Sequence, residues 1–132
     1  MLSHLLFWIY LLNAVTLIVH EIDSAFWREW ELFRIPGGVT GFLVLHFPLL
    51  TFVLYGMVRV REGASSAPFF ALVLGGAGLF AFFIHFWFIR RGRREFTSPI
   101  SRFILRTTLS LSLIQIALTV LVMVSSRGEA LG

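Results

Sequence analysis

The sequence predicts an all-α integral membrane protein, a four-helix transmembrane bundle whose first helix extends beyond the membrane at its cytoplasmic end. Three observations carry that expectation. Hydrophobic residues make up 58% of the chain, well above the roughly 45–50% of soluble globular domains. The mean hydropathy is +0.87 over 132 residues, more apolar surface than so short a chain can bury against itself, so lipid must be part of its solvent. The apolar residues also gather into four segments, each near the roughly 20 residues that a helical crossing requires. Backbone in hydrocarbon has no water to bond, which leaves helix as the state of each.

A single four-span domain follows, with spans over about residues 4–33, 38–60, 67–91 and 99–124. The first begins in the apolar run Leu5 to Val19 and is expected to continue as helix to Phe33, because Pro36-Gly37-Gly38 is the first breaker after it. It lacks a basic leading region and a small-x-small cleavage site, so it is expected to be a retained span and not a signal peptide. The second holds Pro48 in "LHFPLL", which takes the amide partner from the carbonyl of Val44. "REGASSAP" is a short polar turn into the third span. There, Ala71-x3-Gly75 and Ala77-x3-Ala81 offer close helix approach, expected inside the bundle before any subunit contact. "FTSPIS" opens the last helix, with Ser98 placed to cap and Pro99 at the first helical position.

Arginine sets the expected orientation. All 11 basic residues are arginine. Eight of them lie in or beside the first and third loops, against Arg59, Arg61 and Arg127 on the other side. That places the loops in the cytoplasm and both termini outside, which in a bacterial inner membrane means the periplasm. Arg90, Arg91, Arg93 and Arg94, with Arg102 and Arg106, are candidates for anionic lipid headgroups, although orienting the protein already accounts for them. No basic patch interleaved with aromatics points to nucleic acid, and the absence of cysteine excludes disulfide, thiolate and iron–sulfur chemistry.

Ionisable residues at membrane depth carry the functional expectation. His20, His46 and His85 lie on three different spans at a shared level near the cytoplasmic end, with Glu21 and Asp23 beside the first. His20 and Asp23 are three apart and share a helix face. Two readings stay open. In one, His20, Asp23, Glu21, His46 and His85 supply ligands to a divalent metal ion such as zinc or iron. In the other, each histidine donates to a carbonyl or carboxylate in a structural polar layer, with Asp23 paired to Arg28 or to an arginine of the third loop. No HExxH motif is present. Asn13 and Gln115 are expected to bond across the bundle. Ser98 and Ser101 have no histidine base in their own segment, which argues against a serine nucleophile.

"HEIDS", "EWELF" and "LHFPL", with a later histidine in span three, resemble an uncharacterised family of small bacterial four-span membrane proteins. Its pattern reads His-Glu-Leu-Asp-Ala, Glu-Trp-x-Leu-Phe and His-x-Pro-Leu, and Ser24 stands here where alanine is usual. The resemblance implies the four-span architecture and draws attention to His20, Glu21, Asp23, Trp30, His46, Pro48 and His85, without naming a reaction. Three functions remain in view: a His/carboxylate metal site acting on a lipid-like substrate, a non-enzymatic subunit of a larger membrane complex, and a small transporter that self-associates. Whether the chain is an enzyme stays open.

Overall fold

Four helices long and apolar enough to cross a membrane make up the computed structural model, which describes residues 1–131, with the side chains of residues 1–128. They are α1 (Leu2–Phe26), α3 (Gly38–Arg61), α4 (Ala67–Arg90) and α5 (Pro99–Leu131); α2 (Glu29–Leu32) is a single turn between the first two. No strand occurs among the described residues. At about 1.5 Å per residue, α3 and α4 each reach roughly 36 Å, enough for a hydrocarbon layer of about 30 Å. The long helices stand in the order α1, α3, α4, α5 around the bundle, and α5 closes back on α1.

The bundle is centred on Tyr10, Leu17, Val53, Phe70 and Leu74. Its outer surface is apolar as well: Phe26 and Phe47 are about three-quarters exposed, an arrangement suited to lipid. Asn13 and Gln115, buried between helices, find partners, as their position in apolar runs demands. The Asn13 amide donates to Gln115 Oε1 at 3.0 Å and to Ser112 Oγ at 3.2 Å, and Gln115 donates to the Ala71 carbonyl at 2.7 Å. The small residues of α4 serve the same contact. A Cβ added at Gly75 would lie 2.7 Å from Ile116, and one at Gly78 would run into Ser112 on α5, whereas Gly76 faces open space. Ser98 caps α5 by accepting from the Ser101 amide at 3.1 Å.

The helix of α3 runs unbroken through Pro48, and His46 bonds to the carbonyl of Phe42. One feature differs from the sequence expectation: the first helix does not continue to Phe33. It ends at Phe26, Arg28 adopts a left-handed conformation (φ 56, ψ 47), and α2 starts afresh. That conformation costs about 1–2 kcal/mol for a residue with a Cβ. Packing beyond the break offsets it: Trp30 lies against Phe42 with ring centres 5.6 Å apart, and Phe33 lies edge-on to Phe88 at 5.5 Å.

Candidate metal centre

The break at Arg28 turns the chain back, so Glu29 returns to the level of His20. On an unbroken helix, nine residues would put Glu29 about 13.5 Å further along the axis and half a turn around it. Instead His20, Glu29 and His85 each offer a ligand atom, and the three atoms lie within 4.8 Å of one another. α1 contributes His20, α2 contributes Glu29 and α4 contributes His85. Both histidines are 1% exposed.

Hydrogen bonding fixes what each ring presents. His85 Nδ1 lies 2.6 Å from the carbonyl of Ala81, one turn back on its own helix. A carbonyl accepts only, so Nδ1 carries the proton, and in the neutral ring Nε2 is left with its lone pair. That Nε2 lies 3.6 Å from Glu29 Oε1 and has no hydrogen-bond partner. His20 Nδ1 and Glu29 Oε2 are likewise buried and unpartnered. Three orphaned polar atoms on three elements are costly in an apolar bundle. A lone pair facing a carboxylate oxygen is favourable only with a proton or a metal ion between them.

The donor set fits a divalent ion. A tetrahedral zinc with ligands at roughly 2.0–2.1 Å holds its donors about 3.4 Å apart. The His85–Glu29 separation already has nearly that spacing, and from 4.8 Å the widest pair closes by no more than about 1.4 Å to reach it. The Nδ1–H donated to Ala81 is the outer bond that orients a ligating imidazole. Burial pushes the Glu29 carboxyl up, but the neighbouring His85, Ser24 and His20 outweigh it and hold its pKa below the ordinary carboxylate value. The acid thus favours its charged form.

The remaining candidates are placed elsewhere. His46 Nε2 meets Glu21 Oε2 at 2.7 Å, while His46 Nδ1 lies 2.6 Å from the Phe42 carbonyl. With Nδ1 committed as a donor, one proton is shared between the imidazole and the carboxyl, the pairing expected of a structural polar layer. Asp23 lies outside the three-residue group. Its Oδ1 accepts from Ser101 Oγ at 3.0 Å, and Ser101 Oγ also accepts from Trp27 Nε1 at 3.2 Å. The expected pairing of Asp23 with Arg28 is not formed; Arg28 pairs with Glu31. Of the five ligands named from sequence, the structure brings His20 and His85 together, and it adds Glu29, which sequence reasoning missed.

A cavity of about 370 Å³ adjoins the group. His20, Glu29 and His85 line its polar end together with Glu21 and His46, and Leu49, Val53 and Leu74 continue it towards the middle of the bundle. Leu45, Leu49 and Phe80 belong to its wall and are also 42–66% exposed on the outer surface, so the cavity opens sideways between α3 and α4. On the loop side the histidines are covered by Phe96. It is 1% exposed, has φ 61, and its ring centre lies 4.0 Å from that of His85 and 5.9 Å from that of His20.

A family model described as a family of unknown function, DUF6713, matches residues 6–122, and the chain belongs to that family. The motifs around His20, Glu29, His46 and His85 all fall inside the matched range. No curated protein and no solved structure matches the chain.

Proposed function

We propose that this multi-pass membrane protein binds a divalent transition ion, zinc or iron, through His20, Glu29 and His85, and that the ion acts on a lipid-like substrate drawn from the bilayer. The observation that carries the reading is the convergence of three buried, unpartnered donors on the wall of one cavity. Two imidazoles and a carboxylate are the ligand chemistry of zinc and non-haem iron sites, and three protein ligands leave a fourth position for water or substrate. An ion there would polarise a carbonyl or phosphoryl oxygen, or supply hydroxide at neutral pH. The lateral opening between α3 and α4 and the apolar wall below the donors favour a substrate with an acyl chain. The eight-to-three arginine asymmetry supports placing this end of the bundle on the cytoplasmic side of a bacterial inner membrane, with both termini periplasmic.

Metal analysis of the detergent-purified chain after equilibration with zinc or ferrous iron tests the proposal. About one ion per chain is expected, lost in His85→Ala and kept in His46→Ala, whose ring is occupied by Glu21 and Phe42. Substoichiometric metal in the unmutated chain, indifferent to His85→Ala, would end the idea.

A further inference from the structure

A second site lies on the outer surface, between α4 and α5 at the arginine-rich end. A groove of about 330 Å³ runs there with Phe82, Phe86, Ile89 and Leu105 as its apolar part and Arg102 and Arg106 as its polar part. The two arginines are one turn apart and so project from one face of α5. Neither makes an ion pair among the described residues, and no acidic side chain lines the groove. The Arg90 guanidinium lies 5.4 Å above the Phe86 ring, which adds a third positive charge beside the groove.

Depth makes this cluster unlike the arginines of the loop. Arg106 lies seven residues beyond Pro99, about 10 Å along the helix axis. Phe103, three residues before it, is 64% exposed on the apolar surface. An exposed, unpaired guanidinium at that depth is costly unless it reaches the interface or meets an anion. Two of the loop arginines have other partners: Arg91 stacks on Trp87 at 4.1 Å and Arg93 lies 3.8 Å from Glu95. Of the arginines named from sequence, Arg102 and Arg106 are the two that line this groove.

We propose that this groove binds an anionic phospholipid, with the phosphate held between Arg102 and Arg106 and one acyl chain laid over Phe82 and Phe86. Guanidinium groups match phosphate oxygens in bidentate geometry. Three positive charges without an acid favour a headgroup that carries no compensating ammonium, so phosphatidylglycerol is preferred to phosphatidylcholine. The apolar floor distinguishes a lipid from free phosphate, which would leave it uncovered. The site is independent of the histidine cluster and does not require a metal there.

Native mass spectrometry of the full chain in mild detergent reads the binding directly. The probes are phosphatidylglycerol and phosphatidylcholine of the same acyl composition, and inorganic phosphate. One phosphatidylglycerol per chain is expected, bound about tenfold or more tighter than phosphatidylcholine and undisturbed by excess inorganic phosphate. Arg102→Gln with Arg106→Gln should reduce it to the phosphatidylcholine level, while Arg91→Gln with Arg94→Gln should leave it intact. Equal binding of the two lipids, displacement by inorganic phosphate, or full retention in the double glutamine variant would each overturn the proposal. Both guanidiniums are exposed and unpaired, so the double variant should keep its helix content. If it does not, the two single variants decide: each should weaken phosphatidylglycerol binding, and full binding in both counts against the site.

Discussion

Replacing Arg28 separates the broken first helix from a continuous one by the sign of a stability difference. Arg28 is left-handed, so Arg28→Ala keeps a backbone cost of about 1–2 kcal/mol that glycine escapes. Glycine gives back about 0.4–1 kcal/mol through the greater freedom of the unfolded chain. Arg28→Gly should therefore be more stable than Arg28→Ala by about 0.5–1 kcal/mol. Both variants lose the exposed pair with Glu31, so that contribution cancels between them. Had the helix run on to Phe33, position 28 would be a helix interior, and glycine would be the worse residue by about 0.8–1.0 kcal/mol. The two backbones thus differ by roughly 1.5–2 kcal/mol and in sign. Unfolding by titration of a denaturing detergent into mild micelles, followed by far-UV circular dichroism, measures the difference. Arg28→Ala more stable than Arg28→Gly would refute the break, and with it the return of Glu29 to His20 and His85.

Gly78→Ala should destabilise by about 1–3 kcal/mol, because its methyl meets Ser112 and Thr108 on α5. Gly76→Ala, facing open space, should be neutral or stabilise by up to about 1 kcal/mol; equal effects in the same titration would contradict the α4–α5 contact. Phe96→Ala should cost about 3–5 kcal/mol as a buried aromatic and should expose His20 and His85 to the water-soluble acylating reagent diethyl pyrocarbonate. Mass spectrometry locates the modified rings, and unchanged protection would show that Phe96 does not seal the site. The cysteine-free chain makes orientation measurable in intact cells. A membrane-impermeant maleimide should label Ser65→Cys and spare Thr97→Cys, and the reverse pattern would invert the proposed topology.

The parts of the molecule that lipid dictates were legible in the sequence. Four apolar runs had to be helices, and Asn13 and Gln115 had to meet because neither could stay unbonded in hydrocarbon. Glu29 was hidden for a different reason. Local helix geometry sets it on the far side of α1 from His20, and only packing of Trp30 on Phe42 and Phe33 on Phe88 justifies the break that returns it. The readable hint was the spacing of Trp30 and Phe33, two large apolar residues sharing one face just past a charged stretch.

Asp23 shows the converse. Its spacing put it on one helix face with His20 without showing whether that face turns inward, and one helical turn further along α1 the neighbour is the start of α5, where Ser101 receives it. The choice of acid for each histidine follows from how the rings are held. His46 and His85 both bond Nδ1 to the carbonyl four residues back, so each ring is fixed to its own helix and the rotation of that helix aims Nε2. On α3 the aim meets Glu21 closely enough for a hydrogen bond; on α4 it meets Glu29 at 3.6 Å, beyond hydrogen-bond reach. The first geometry is satisfied by one shared proton. The second leaves the His85 Nε2 without a hydrogen-bond partner, and for that reason the proposed metal site is placed at His85 and not at His46.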